Sequence, residues 1–236
     1  MKIKFLLILI SIVVLRVAGQ NNYSDANVQT YTYPRISPKN NNFKVSAGEK
    51  DVFVYQSSAG PFAAFSVTGS THIIIDLPFE SGNWSISPKK HNITPVVEGK
   101  KLSFDVPGPI LLVLENGGMP ELYLYVNPLQ SLIEKNENVK YFKGGQVYEV
   151  GEMILKDNET LYIEGGAIVR GCIRATSASN VRIAGYGVFD GSYYTKGVDA
   201  KRSIVFEDCR NSSINDIIMI EPSSWISCLA FAIMLK

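Results

Sequence analysis

The chain has 236 residues, of which 46% are hydrophobic and 19% are charged. This composition is ordinary for a folded protein, and it excludes a disordered chain and a protein embedded in the membrane throughout its length. The 23 basic and 22 acidic residues leave a formal net charge of +1, so no overall field favours nucleic acid as a partner.

The first 19 residues have the pattern of an export signal. Lys2 and Lys4 precede an apolar run over residues 5–15, and small residues at 17–19 place the expected cleavage after Gly19. The alternative is an uncleaved membrane anchor, but the apolar run is shorter than the ~20 residues that a spanning helix needs. We therefore expect a secreted or periplasmic protein with no stable membrane span after cleavage.

Three segments are predicted between the signal and the second half of the chain. Residues 20–42 are polar and are expected to be a flexible leader. From 43 to 128, short alternating segments are separated by turn signals such as Gly60-Pro61, which predicts a β-sandwich domain. A polar linker is predicted over 129–140. The sandwich strands are predicted at 51–55, 63–67, 72–77, 101–106, 109–115 and 121–126.

A repeat follows the linker. Residues 160–171 lie over residues 180–191 at a constant offset of 20 positions, so that Ile168, for example, matches Val188. A short β-rich unit with such a period is typical of a solenoid, in which neighbouring coils bury each other's apolar faces. We therefore predict that residues 141–236 form the start of a parallel β-helix, which is incomplete in this chain.

An excursion interrupts the repeat between Gly191 and Arg202. After it, Asn211 follows Asn180 by 31 positions, which equals one coil of 20 residues plus a loop of 11. Loops that leave one face of a solenoid usually form its binding surface.

The glycines of the repeat are interpreted as structural, because Gly at a coil corner permits positive φ and close approach between coils. No Lys-Ser/Thr pair or helix follows Gly165-Gly166, so a phosphate loop is excluded. Asp190 is interpreted as a carboxylate that accepts N–H bonds in the turn at Gly191, rather than as a catalytic acid. The structural glycines are Gly165, Gly166, Gly185, Gly187 and Gly191.

Three motifs in order carry a resemblance to a known family: Gly144-Gly145, the run from Gly185 to Gly191, and Ser224-Trp225. They resemble the first coils of a pectinase-type right-handed parallel β-helix, as in polygalacturonases of glycoside hydrolase family 28. The preceding sandwich is similar to the layout of dextranase and isopullulanase in family 49. The resemblance covers residues 43–226 and implies an all-β fold that hydrolyses the O-glycosidic bonds of a pectin-like or other polysaccharide.

The resemblance also implies inverting hydrolysis by two carboxylates, which polygalacturonases carry in Asn-Thr-Asp, Gly-Asp-Asp, Gly-His-Gly and Arg-Ile-Lys motifs. None of these motifs occurs here. Glu207 and Asp208, which are adjacent, should point to opposite faces of a strand. We therefore assign no catalytic residue. We expect the coil pattern to stop close after Trp225, where the chain is truncated or changes frame. The chain is then an N-terminal fragment that is inactive alone.

No cofactor site or metal site is predicted. His72 and His91 are the only histidines, and neither has a ligand partner at a suitable spacing. Of the three cysteines, we expect Cys172 and Cys209 to be small buried side chains in the solenoid interior. One disulfide among Cys172, Cys209 and Cys228 is possible, but their spacing does not identify a pair.

Two other functions compete with hydrolysis. A non-catalytic glycan-binding surface protein is suggested by the sandwich and by Tyr193 and Tyr194, which either stack on sugar rings or pack the excursion onto the helix. A polysaccharide lyase comes third, because no cluster of Asp residues resembles a calcium site. A polysaccharide is the expected partner in each case.

Overall fold

Alternating apolar residues form strands along almost all of the chain that the structure describes. The structure, a computed structural model, describes residues 28–80, 82–130 and 133–230, so the predicted export signal lies outside the described residues. The first eleven strands are β1 (Gln29–Thr30), β2 (Lys44–Ala47), β3 (Lys50–Val52), β4 (Val54–Ser57), β5 (Gly60–Val67), β6 (Thr71–Asp76), β7 (Trp84–Ser87), β8 (Val96–Glu98), β9 (Lys101–Val106), β10 (Ile110–Asn116) and β11 (Met119–Pro128).

These eleven strands form a β-sandwich. One sheet has the order β3-β2-β6-β9-β8, and the other has the order β1-β5-β11-β10-β7 with β4 also paired to β5. Every second residue of β6 and β9 is buried, because one face of each strand points at the opposite sheet. The core between the sheets includes Phe65, Ile73 and Leu112. A short 3-10 helix, Lys89–His91, follows β7.

The predicted strand over 51–55 is divided in the structure. β3 ends at Val52 in one sheet, and β4 begins at Val54 in the other, so Phe53 lies where the chain changes sheets. Val52 and Val54, two positions apart, are both buried, so the alternation continues across the break and does not reveal it.

The prediction of a flexible leader is wrong for residues 28–42. β1 pairs with β5, and Val28, Tyr31 and Tyr33 are buried. The hydroxyl of Tyr31 lies 2.5 Å from Oγ of Ser66. Two aromatic side chains bury enough surface to hold this segment on the sandwich despite its polar neighbours. Residues 20–27 of the predicted leader lie outside the described residues.

The second half of the described chain is a parallel β-helix, which confirms the predicted fold class. Its strands are β12 (Val139–Phe142), β13 (Val147–Ile154), β14 (Thr160–Ile163), β15 (Ile168–Thr176), β16 (Arg182–Gly185), β17 (Val188–Asp190), β18 (Ile204–Glu207), β19 (Ser213–Ile214), β20 (Ile218–Ile220) and β21 (Ser227–Ala230).

Two parallel sheets form the three walls of this helix. The first contains β12, β14, β16 and β19 in order. β13 and β15 are long enough to serve both other walls: their first halves align with β17 and β20, and their second halves align with β18 and β21. Apolar side chains from all three walls fill the interior, among them Ile163, Phe189 and Phe206.

The constant offset of 20 is right for one wall and wrong for another. Ile168 pairs with Val188, an offset of 20, whereas Leu161 pairs with Ile183, an offset of 22. The difference arises because the turn after β14 is two residues longer than the turn after β16. A shift of two residues keeps the same side chains facing inward, since the strand period is two.

The predicted excursion of 11 residues is confirmed by the strand register. Arg170 and Ile173, three positions apart, pair with Asp190 and Ile204, which are fourteen positions apart. Arg182 pairs with Ser213 at the expected offset of 31. A 3-10 helix, Gly191–Tyr193, begins the excursion.

The expectation that the coil pattern stops after Trp225 is wrong. β21 (Ser227–Ala230) continues the third wall and pairs in parallel with β18. The N–H groups of Ser203 and Ile204 donate hydrogen bonds to the carbonyl oxygens of Trp225 and Ile226, so the pairing begins just before β21. The boundary of the linker also differs, since β12 begins at Val139; the other domain limits stay predictions.

The sandwich packs on one wall of the β-helix. Tyr55 and Phe62 of the sandwich share a buried cluster with Ile168, Val188 and Ile218 of the helix. We call the outer side of β17, β20 and the first halves of β13 and β15 the covered face. The outer side of β18, β21 and the second halves of β13 and β15 is the open face. No helix among the described residues is long and apolar enough to cross a membrane.

Candidate functional site

A cleft lies on the open face. Its volume is about 500 Å³, within the usual range for small-molecule sites. Met153 and Ile173 point into the helix interior, so alternation directs Ile154 and Arg174 outward. The lining residues are Ile154, Leu155, Lys156, Asp157, Arg174, Thr176, Ser177 and Ala178.

A three-residue charge cluster lies beside this cleft. Glu152 Oε1 accepts a hydrogen bond from Arg174 Nε at 2.5 Å, and its Oε2 accepts one from Lys201 Nζ at 2.8 Å. The bonds from Lys201 and Arg174 lower the pKa of Glu152, because both stabilise the charged form. Glu152 is therefore an ionised acceptor at neutral pH and is poorly suited to donate a proton to a leaving group.

The excursion supplies the other side of the cluster, and its two tyrosines have different environments. Tyr194 is partly buried and interacts with Cys172 on β15. Burial, followed by this contact, raises the pKa of Tyr194 to about 12. Tyr193 is 45% exposed, and the two rings meet edge to face at 5.0 Å. Tyr194 therefore packs onto the β-helix, whereas the ring of Tyr193 is accessible to a ligand.

The two described cysteines are buried and free, as expected for small core side chains. Cys209 lies in the interior, where Sγ is 3.4 Å from the carbonyl oxygen of Ala175. Cys172 differs from the prediction. Its neighbour Ile173 faces the interior, so Cys172 points outward and is covered by the excursion. The side chain of Cys228 lies outside the described residues.

Asp190 has the predicted structural role and an ion-pair partner that the prediction missed. Its Oδ1 accepts a hydrogen bond from Ser192 N at 2.9 Å, and its Oδ2 accepts one from Arg170 Nε at 2.9 Å. The carboxylate is buried, so this pair is shielded from solvent on the Asp190 side. Arg170 and Asp190 are 20 positions apart in the repeat, and this spacing was the available signal for the pair.

The adjacent acids Glu207 and Asp208 are not two residues of one strand. β18 ends at Glu207, and Asp208 lies in a left-handed turn with φ of 50°. Asp208 Oδ2 accepts a hydrogen bond from Ser177 Oγ at 3.3 Å. The alternation argument therefore does not apply to Asp208, which serves the turn.

The glycines at the coil corners have the structural role that was predicted, but one partner was not foreseen. A Cβ on Gly185, whose φ is +121°, would lie 2.0 Å from the carbonyl oxygen of Ile163 on the preceding coil. A Cβ on Gly166 would instead lie 2.2 Å from the carbonyl oxygen of Thr32. Gly166 is thus required by the sandwich segment that crosses the helix.

No metal site is formed by three or more His, Cys, Asp or Glu side chains within the described ranges. His72, in the sandwich, has Nδ1 at 2.6 Å from Asp105 Oδ1. The open face can offer charged hydrogen-bond groups and one accessible aromatic ring. These groups are suited to binding a polar ligand.

The fold is similar to that of a solved structure, Dex49A from Penicillium minioluteum, with a TM-score of 0.59 and 11% sequence identity. The match covers 81% of this chain and 55% of that chain, so this chain spans little more than half the length of Dex49A. At this identity the match shows the fold.

A second match is the crystal structure of a putative glycosyl hydrolase from Parabacteroides merdae ATCC 43184, with a TM-score of 0.33 and 20% identity over 40% of this chain and 57% of that chain. No protein-family model matches the chain, and no curated protein sequence matches it.

Proposed function

We propose that this chain is the N-terminal part of an exported glycoside hydrolase that degrades a polysaccharide. The observation that carries the proposal is the order of the two modules, a β-sandwich followed by a parallel β-helix, over 81% of the chain in common with Dex49A. Dex49A is a family 49 dextranase. The layout predicted from the sequence included that family, and the Gly/Asp and Ser-Trp motifs add the polygalacturonase resemblance.

Two substrate classes follow from these two resemblances. The fold match favours a neutral glucan of the dextran type, and the sequence motifs favour a polygalacturonate-type glycan. Both reactions break an O-glycosidic bond, and inverting hydrolysis needs two carboxyl groups about 6.5–9.5 Å apart.

We place the catalytic carboxylates on coils that follow the described ones. On the open face Glu152 is bonded to two cations, and on the covered face Asp190 is buried with Arg170. Neither carboxylate is free to activate water. The open face would then contribute binding groups, namely Arg174, Lys201 and Tyr193, to a substrate groove that continues along the same wall.

Hydrolysis assays on two proteins test this proposal. The 236-residue chain and the longest in-frame product of the gene, sequenced beyond codon 236, would each be incubated with dextran, polygalacturonate and rhamnogalacturonan, and new reducing ends measured. We expect turnover by the longer product alone. Turnover by the 236-residue chain would contradict the placement of the catalytic groups, and no turnover by the longer product on any glycan would contradict the hydrolase assignment.

A glycan-binding protein without catalysis is the second candidate, favoured by the exposed ring of Tyr193, which contacts the ring of Tyr194. Replacing Tyr193 with Ala should then abolish binding on a glycan array, because stacking on an aromatic ring supplies much of sugar affinity. Phe79→Ala is the matched control, since Phe79 is a similarly exposed aromatic residue on the sandwich. Equal loss in both variants would count against a site at Tyr193.

A further inference from the structure

A second cleft lies on a different wall of the β-helix, on the outer side of the first sheet. Its volume is about 280 Å³. Tyr162 and Ala184 pair in register on β14 and β16, and the small side chain of Ala184 leaves space in front of the sheet. The lining residues are Gln130, Ile133, Tyr162, Arg182, Ala184, Gly185, Tyr186 and Asp216.

Two opposite charges line this cleft without neutralising each other. Neither Arg182 nor Asp216 takes part in any of the ion pairs within the described part of the chain. Both side chains belong to exposed residues. A guanidinium and a carboxylate that share a cleft but not a bond can each offer hydrogen bonds to the same ligand.

The remaining polar groups of the cleft are two phenols and one amide. Burial raises the pKa of Tyr162, opposed by a hydrogen bond with Gln130 and by the charge of Arg182. Burial and the charge of Asp216 raise the pKa of Tyr186. Both phenols therefore stay protonated and can donate. Oε1 of Gln130 accepts a hydrogen bond from Gly165 N at 3.4 Å, which holds the amide at the edge of the cleft.

The position of Tyr186 is fixed before any ligand arrives. Its ring stacks on Tyr31 with the centroids 6.3 Å apart and the planes at 18°. Tyr31 is itself buried against the sandwich. A site with preset side chains loses less conformational entropy on binding than a mobile one.

We propose that this cleft binds one neutral sugar residue of a polysaccharide chain. Hydroxyl groups on neighbouring carbons of a pyranose both donate and accept, so they can donate to Asp216 and accept from Arg182 and the phenols. The cleft gives a uronate no net attraction, because the charge of Asp216 offsets that of Arg182. The apolar face of the sugar ring is suited to the tyrosine side of the cleft.

The proposal rests on the proposed function only for the choice of a carbohydrate as ligand. The cleft lies on the first sheet, whereas the substrate groove proposed above lies on the open face. Binding here would hold a polysaccharide at a second point, which raises effective affinity without a new catalytic contact. A negative hydrolysis assay would therefore leave the binding proposal intact, and a negative binding assay would leave the hydrolase proposal intact.

Binding of trisaccharides to the 236-residue chain tests the site. Isomaltotriose, cellotriose and trigalacturonate would be titrated by saturation-transfer NMR and calorimetry. The variants are Asp216→Asn and Arg182→Gln. Asn is tolerated at the left-handed φ of 64° that Asp216 adopts. We expect a neutral trisaccharide to bind, and each variant to weaken it by about tenfold or more, the usual effect of losing a hydrogen bond to a charged group.

Arg210→Gln is the matched control, because Arg210 is exposed on a coil turn and does not line the cleft. Tyr186→Phe removes a single hydroxyl and keeps the stacked ring, so it tests the site even if a charge variant folds poorly. The proposal is overturned if no neutral trisaccharide binds, if trigalacturonate binds more tightly, or if the cleft variants bind as the control does.

Discussion

The covered and open faces of the β-helix are built partly from the same strands, but their outward side chains differ in polarity and in burial. On the covered face the outward residues Ile168, Val188 and Ile218 are buried by the sandwich. On the open face the outward positions of the same coils include Glu152 and Arg174, which are partly or fully exposed. The interior pattern is apolar behind both faces. The inward residues therefore specify the solenoid, and the outward residues specify whether a wall packs against another module or faces solvent.

The charged residues of the two faces also differ in how deeply they are buried. Asp190 is buried at the covered face and is bonded to Arg170, because an unpaired buried carboxylate would be costly. The side chain of Glu152 is 37% exposed, so its ion pairs with Arg174 and Lys201 are in contact with solvent. A similar ion pair thus maintains structure on one face and remains available to a ligand on the other.

The largest expected effect comes from placing a charge on each face. Val188→Asp buries a carboxylate among apolar side chains where the sandwich packs, so the free energy of unfolding should fall by more than about 4 kcal/mol. Ile154→Asp changes a residue that is 63% exposed and should alter stability by less than about 0.5 kcal/mol. Urea unfolding measures both, and equal losses would contradict the distinction between the faces.

A smaller difference is expected from neutralising one carboxylate on each face. Asp190→Asn leaves Arg170, whose side chain is only 27% exposed, with only the longer ion pair to Glu149 at 3.8 Å, and should cost about 2–3 kcal/mol. Glu152→Gln should cost less than about 1 kcal/mol, because exposed ion pairs contribute little. The midpoints of thermal unfolding report both changes. A larger loss in Glu152→Gln would show that the open face is the more tightly held.

The smallest effect is a dependence on pH at the open face. The pKa of Glu152 is lowered from its usual 4.5 in the folded protein, so its contribution to stability is present above that value and is lost as the pH falls through the lowered pKa. The wild type should therefore be more stable than Glu152→Gln at neutral pH and lose this advantage in acid. Urea titrations of both proteins from neutral pH to about pH 2 measure the difference, and a gap that widens in acid would contradict it.

Much of the fold could be predicted because its signals are local. The match of Ile168 to Val188 and the 31-residue spacing of Asn180 and Asn211 both follow from stacking of one coil on the next. The offset of 22 on the first wall could not be seen, since a turn shortened by two residues leaves the inward pattern unchanged. Local patterns specify which side chain faces inward and leave the exact pairing to turn geometry.

The candidate sites depended on contacts between distant segments. Lys201 reaches Glu152 across 49 residues, and Asp216 shares a cleft with Gln130. No periodicity relates either pair. The Arg170–Asp190 pair is the exception, because the two residues occupy matching positions of the repeat and could have been found from it.

The sequence by itself determined that this chain forms a sandwich followed by a solenoid, that an excursion of 11 residues interrupts the repeat after Gly191, and that the repeat glycines are structural. These features follow from strand alternation and coil spacing, which any short stretch of the chain expresses. Only the tertiary structure decided that Tyr31 and Tyr33 anchor the supposed leader and that the sandwich buries one wall and leaves another open. The reason is that burial of an outward side chain depends on what packs against it, and that partner is distant in sequence.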